Sequence, residues 1–449
     1  MNNIKINQGL NIKLKGVAEK NISNTKASSL FAIKPPDFSG LIPKLAVKPG
    51  HKVKAGTVLF FDKNKPEVKF TSPVSGKVKA IERGARRKIL EIVVESNNKQ
   101  DFESFKKGDP NNMSREDIVE NLLNSGIWPF IKQRPYGTIA NPEITPKSIF
   151  ISAFDSAPLG VDYNFVLKDE GEIMQKGIDA LKQLTNGKIH LGIDGSQTII
   201  DAFKSLNNVE ITSYTGKHPA GLVGTHIEKK DPINKGDIVW QINPQDVLII
   251  GRLFAEGKFN PERTVALVGS EVSKPQYFKT IMGAEIASIV GDLVSNDNVR
   301  YISGNVLTGS KVEKDGYLGF YDSMVSVIPE GNHHQFFGWI TPNFHKFSMS
   351  RTYFSWLMPN KEYALDTNLN GGHRAFVVTG QYEKVVPLDI YPVELLKACI
   401  TEDIDKMEQL GIYEVLEEDF ALCDYVCTSK QETQEILRKG LDLMIKEVG

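Results

Sequence analysis

The sequence predicts a multidomain α/β protein, and three observations predict it. The chain has 449 residues, which at roughly 100–200 residues per domain calls for two to four separate cores. Hydrophobic residues make up 41% and charged residues 24%, an ordinary balance for a globular chain that excludes collagen-like, disordered and integral-membrane classes. Between Lys147 and Tyr214 short apolar runs alternate with helical stretches, the pattern of a parallel, doubly wound sheet.

In chain order, the first element is glycine-punctuated. Val47, Gly50, Val53, Gly56 and Leu59 recur every three residues in LAVKPGHKVKAGTVLFFDK, and TSPVSGKVKAI follows. Glycine supplies the turns and Val and Leu the small core of a biotinyl/lipoyl-like barrel-sandwich hybrid, placed at residues 1–100. Lys65 falls where carrier versions of that fold present their modified lysine on a hairpin tip. Its neighbours Asn64 and Pro66 replace the Asp and Ala usual beside a lipoyl lysine, so Lys65 is expected to be unmodified.

Residues 101–257 form the second unit. KSIFISAF, a helical face of Ile173, Gly177, Ile178, Leu181 and Leu184, KIHLGI, a helix over Ser196–Leu206 and a strand over Val209–Tyr214 read βαβαβ. No G-x-G-x-x-G opens a helix, so this Rossmann-like domain carries no nucleotide motif. Short β-rich segments broken by glycines, RTVALVG and VRYISGNVLTG, predict a small β-grasp, SLBB-like module over 258–330. The last unit, 331–449, is partly helical. Pro392 starts a helix carrying Val393, Leu396, Ile400, Ile404 and Met407 and ended by Gly411; Ser429 and Glu432 offer a capping box before Ile436–Ile445.

The net charge of −1 argues against a general nucleic-acid binder. Residues 1–100 hold 20 Lys+Arg against 7 Asp+Glu, a balance of +13, which suits an anionic membrane face or acidic partner and equally a solvated lysine-rich surface. The longest apolar runs, such as Val247–Ile250, are far too short to span a bilayer, and the polar start MNNIKINQGLNIKLKG lacks a secretory apolar core, so a cytoplasmic chain is expected.

Three cysteines, Cys399, Cys423 and Cys427, are one short of a four-thiolate iron–sulfur set and read as helix-packing residues. His218 and His226 lie among glycines in HPAGLVGTHI, where a backbone can approach a ligand; packing histidines are the other reading. Trp128, Phe130 and Arg134 in SGIWPFIKQRPYG combine aromatic surface with a cation, which suits either an amphipathic ring or interdomain packing. No nucleophile, metal or phosphate-loop motif appears, so no catalytic and no metal-ligating residue is assigned.

Taken together, KVKAGTVLFFDKNKPEVKFTSPVSGKV, SGIWPFIKQRP, HPAGLVGTHI, INPQDVLIIGRLF, RTVALVGSEVSKP, ISGNVLTG, FFGWITPNFHKFS, EKVVPLDIYP and EEDFALCDYVC resemble, in order and spacing, the NqrA family, which belongs to the sodium-translocating NADH:quinone oxidoreductase. More distantly the chain is similar to RnfC and the flavin-bearing subunit of respiratory complex I. After Cys427 it reads Thr428, Ser429 and Lys430, where the family has Pro-Gly-Lys. The resemblance implies a peripheral subunit on the cytoplasmic face of a bacterial inner membrane. Such a chain is part of a translocase, is not catalytic alone, and takes part in quinone binding or reduction coupled to sodium export. It implies that this chain binds no FMN and no iron–sulfur cluster, that NADH, flavins and clusters belong to the other subunits (B to F), and that contact is made with the membrane-embedded ones. Within that implication Trp128, Phe130, Arg134, His218 and His226 are the candidate quinone-binding residues. The alternatives are a cofactor-free scaffold with no quinone site and an RnfC-like electron-transfer subunit.

Overall fold

The computed structural model describes residues 2–25, 28–97, 99–338 and 340–448. Its central sheet has seven strands in the order Asn2–Ile6, Glu210–Gly216, Ile189–Asp194, Ile149–Ala153, Val239–Ile242, Lys132–Arg134 and Thr138–Ile139. The first five are parallel and the last two join antiparallel. The chain runs outward from Ile149–Ala153 through two strands, then returns to Val239–Ile242 on the other side of the starting strand. That reversal creates a crevice at the carboxyl ends of these two strands. The strands are continuous apolar runs because both faces are covered. Helices Gly171–Lys182 and Pro244–Glu256 pack against each other with no room for a side chain at Gly177, where a Cβ would lie 2.2 Å from the Val247 carbonyl oxygen.

Two small antiparallel sheets form the first unit. One holds Leu30–Ile33, Ile89–Ser96, Gly76–Arg83 and Lys52–Val53; the other holds Pro43–Leu45, Val58–Asp62 and Lys69–Thr71. They share a core of Leu59, Phe60, Phe70, Val78, Ile92 and Val94, in which the Phe60 and Phe70 rings stack at 4.5 Å. A third, six-stranded sheet runs Ser310–Val312, Val299–Ser303, Met324–Pro329, Glu262–Val268, Gln276–Ile281 and Glu19–Asn24.

The N-terminal strands therefore serve other sheets: Asn2–Ile6 pairs with Glu210–Gly216, and Glu19–Asn24 with Gln276–Ile281. Chain preceding the barrel is stitched into both neighbouring units before Leu30 begins the barrel itself.

Three helical expectations are corrected. The helix from Pro392 breaks after Ile400 and restarts as Ile404–Gln409. Glu402 takes a left-handed φ of 56°, and the Asp403 carboxylate caps the new start by accepting the Lys406 N–H at 3.1 Å, a local hydrogen bond that competes with helix continuation. The final helix is Thr433–Glu447. Ser429 does not cap it; its hydroxyl donates to the Ala375 carbonyl, while the Thr433 hydroxyl donates to Asp424. Over Ser196–Leu206 only the turn Asp201–Lys204 is α-helical, because Asp194 draws the Ser196 N–H and hydroxyl into a local turn. All three cysteines are buried, and the Tyr382 hydroxyl donates to the Cys427 sulfur at 2.9 Å. Among the described residues no three His, Cys, Asp or Glu side chains form a metal-binding group, and no helix is long and apolar enough to cross a membrane.

Candidate functional site

A cavity of about 600 Å³ lies where the barrel, the antiparallel edge of the central sheet and the last helix meet. Leu41 and Val68 come from the barrel, Ile139 and Ile144 from the edge hairpin and the chain after it, Ile238 from the loop before Val239–Ile242, and Ile445 from the last helix. The hairpin turn puts Tyr136 at φ 80° and Gly137 at φ 69°. A tyrosine held there costs of order 1–3 kcal/mol, and such strain concentrates at functional sites. Its ring meets the Tyr413 ring edge-on at 6.1 Å.

Polar side chains interrupt these walls at several places, the carboxylates of Asp62 and Asp237 among them. Lys65 stands on the turn in which Asp62 accepts the Asn64 N–H and the Lys65 carbonyl accepts the Val68 N–H. Lys235 donates to Glu408 at 2.8 Å, and Tyr413 donates to the same carboxylate, which Lys235 and Tyr413 hold below the usual carboxylate range. Gln133, Thr138 and Asn141 complete the donors. Apolar walls with a few convergent donors suit a flat, apolar ligand that carries hydrogen-bond acceptors.

Of the five residues singled out from sequence, all are buried. Trp128 donates its indole N–H to the Ala140 carbonyl at 2.8 Å and meets Trp240 edge-on. It stands behind the cavity wall, since Ala140 is part of that wall. Arg134 is flanked by two lining residues, Gln133 and Pro135, but its own guanidinium turns inward. Nε donates to Gln241 at 2.8 Å, Nη1 to Asp419 at 2.8 Å and Nη2 to Glu418 at 2.6 Å. Phe130 stacks on Phe320 at 4.5 Å and lines a different cavity.

His218 and His226 line neither cavity. Burial pulls the His218 imidazole down to about 4, beside the Ser156 hydroxyl at 3.1 Å. Burial pulls His226 down to about 3; its Nε2–H donates to the Ala220 carbonyl, and its ring stacks on Tyr214 at 3.7 Å. The ring fills the space left by Gly192, where a Cβ would lie 2.4 Å from it. Burial thus holds both imidazoles below the ordinary histidine range.

The second cavity, of about 510 Å³, occupies the crevice at the sheet's reversal. Ser152 and Asp155 reach it from the end of Ile149–Ala153, and Gln241 and Asn243 from the end of Val239–Ile242. Asp37, Asp155, Asp246, Asp322, Glu417 and Glu418 line it, against Lys132 among the described residues. Burial pushes Asp37 up to about 6 despite Lys34 and the Phe320 N–H, which donates to it at 2.8 Å. Burial likewise pushes Asp246 up to about 6 although it pairs with Arg263. A cavity so lined opposes anionic ligands.

Of the residues lining this cavity, Lys235 and Tyr413 were not singled out from sequence, and Lys65 was considered only as a modification site. Tyr136 lay inside the quoted aromatic stretch, and it was the nearest available signal.

Comparison with known proteins agrees across the whole length. Family models for an NqrA N-terminal barrel-sandwich hybrid domain, an NqrA second alpha/beta domain and an NQRA C-terminal domain match residues 4–97, 113–259 and 264–314. The NqrA chain of the Na(+)-translocating NADH-quinone reductase from Neisseria meningitidis serogroup B is 41% identical over 448 residues, covering 99% of this chain and 100% of that protein. The corresponding chains of Haemophilus influenzae and Pasteurella multocida are 40% and 38% identical, each again over 99% of this chain and 100% of its own length. The chain belongs to the NqrA family of Na(+)-translocating NADH-quinone reductase subunits.

Proposed function

We propose that this chain is a peripheral subunit of such a reductase, on the cytoplasmic face, and that it seats a quinone head group in the 600 Å³ cavity beside Tyr136. The observation that carries this reading is the wall chemistry. A quinone has two apolar faces and two carbonyl acceptors, and Leu41, Val68, Ile139 and Ile238 supply apolar surface beside the donors of Lys65, Tyr136 and Lys235. The location is the junction of barrel and α/β unit, with the donor role passing from Arg134 to its neighbours.

Peripheral attachment is supported by the +13 balance of residues 1–100 and by the lack of a spanning helix among the described residues. The relatives are named as one subunit of a larger enzyme, so the other subunits are the partners, and they hold the NADH, flavin and iron–sulfur chemistry. A cofactor-free role for this chain is supported by the carboxylate-lined crevice, since the phosphate of FMN would stand among six carboxylates, of which Asp246 and Glu418 are paired with an arginine. Lys65, with no lipoyl-type neighbours, acts through its ammonium group.

The test is titration of the purified chain with a short-chain quinone, followed by calorimetry. Saturable binding is expected, and Leu41→Asp lowers affinity about thirtyfold, the ~2 kcal/mol of setting a carboxylate against an apolar ligand face. No binding by the parent chain would replace this reading with the scaffold.

A further inference from the structure

Residues 334–361 contain eight aromatic side chains and Lys346, Arg351 and Lys361, with no Asp or Glu. Residues 101–449 carry 48 Asp+Glu, about one in seven, so a stretch of this length without one is a marked depletion. The described part of the stretch holds no strand and a single 3-10 turn, Phe354–Leu357. Long irregular segments inside compact proteins are uncommon and usually functional.

One side of this strap is fastened down. Phe347 packs against Tyr363 and Tyr425, and Lys13 donates to the Pro359 carbonyl at 2.8 Å. Just beyond it, Tyr363 exchanges backbone hydrogen bonds with Lys13 and Lys15. The other side faces outward with its largest groups: Phe336 is 91% exposed and Trp356 50%, joined by Ile340, Phe344, Phe354 and Leu357. The cations stay with the rings, Arg351 over Trp356 at 5.8 Å and Lys346 over Tyr353 at 5.7 Å.

We infer that the outward face of the 334–361 strap is a docking surface for another subunit of the same reductase, through a segment carrying aliphatic and acidic side chains. This rests on the reading of the chain as one subunit of a larger enzyme. Exposed apolar patches of this kind mark interaction sites, and aromatic, Met and Arg enrichment with loss of acids is the composition of protein interface cores. A cationic strap selects an acidic partner by charge complementarity. The irregular backbone argues for protein rather than lipid, because its polar groups have no partners at hydrocarbon depth.

The experiment uses the complete complex in native membranes. A photoreactive phenylalanine analogue replaces Phe336 or Trp356, with exposed Lys314, in the turn after Ser310–Val312, as the control position. The expected result is an adduct with one other subunit, identified by mass spectrometry, at least tenfold stronger from either strap position than from the control. Arg351→Glu reduces that adduct several-fold while the chain's melting temperature stays unchanged. Adducts with lipid only, or none, in complexes from which the parent chain copurifies would overturn the docking surface and leave subunit membership intact. Failure of the parent chain to copurify would overturn both.

Discussion

Beside the strand Lys132–Arg134 lie two cavities of similar size and different lining: one sets apolar residues among mixed polar groups, the other sets six carboxylates against Lys132 among the described residues. Gln133 belongs to the apolar one, whereas Lys132 belongs to the carboxylate-lined one, as does Glu418, the partner of Arg134. Alternation along three residues of strand is enough to divide them. The second cavity has the position expected of a ligand site in a doubly wound sheet, at the reversal of strand order. Its six carboxylates oppose an anionic group, and the quinone proposed above is placed in the other cavity, outside the sheet's usual site. Topology shows where a site can be; the side chains decide which place is used.

Arg134 lines neither cavity but holds Gln241 and Glu418, which line the second, and removing it has the largest expected effect. Arg134→Ala leaves Asp419 buried, and Glu418 beside it, without a countercharge; breaking a buried ion pair this way costs about 3–5 kcal/mol. A clear drop in melting temperature is expected, with quinone affinity in the surviving folded protein within about threefold of the parent. Loss of affinity without loss of stability would return Arg134 to the quinone.

Asp37 sharpens the comparison from the acidic side. Its folded value, about 6, lies above the ordinary 3.8, so the folded state holds the proton more tightly than the unfolded chain. Its stabilising contribution is present below about pH 4 and is lost as pH rises through 6. Asp37→Asn removes that dependence. Denaturant unfolding across pH 4–7 should show the variant gaining about 2–3 kcal/mol on the parent at the upper end, with Asp246, pushed to about 6 in the same cavity, continuing to titrate in both. Parallel curves for parent and variant would show that Asp37 is solvated and that the crevice is less closed than its lining suggests.

Much of the architecture was legible because it is local. KSIFISAF and KIHLGI are buried on both faces, so they read as continuous apolar runs, and the barrel's turns are written in its glycines. The strands Asn2–Ile6 and Glu19–Asn24 were not legible as members of the other two sheets, since five or six half-exposed residues carry no mark of a partner some 200 residues away. The broken helix after Ile400 was written in the sequence, as Thr401-Glu402-Asp403, but a continuous apolar face masked it. The cavity was legible only at SGIWPFIKQRPYG. Lys235 reaches it from a loop and Tyr413 from the short 3-10 turn Ile412–Glu414, neither with a periodic local sequence, and only tertiary packing brings them to Tyr136.

Lys65 separates the two cavities most finely, because it is the residue for which a carrier function and a ligand-wall function make different demands. A carrier lysine must leave the surface on a swinging arm. Lys65 instead stands half-buried in a turn fixed by its own carbonyl, which accepts the Val68 N–H at 2.9 Å, with its side chain on the rim of the apolar cavity. A rim ammonium is solvated, and its interactions are worth roughly 0.2–1 kcal/mol and weaken with salt. Lys65→Met keeps the apolar stem and removes the charge, so quinone affinity should fall only about two- to threefold at low salt and converge on the parent value at high salt. The intact mass of protein from its native host should equal that of the unmodified chain. A lipoyl or biotinyl increment on the Lys65 peptide would reverse the assignment, and a loss of affinity beyond about thirtyfold would move Lys65 from the rim to the centre of the site.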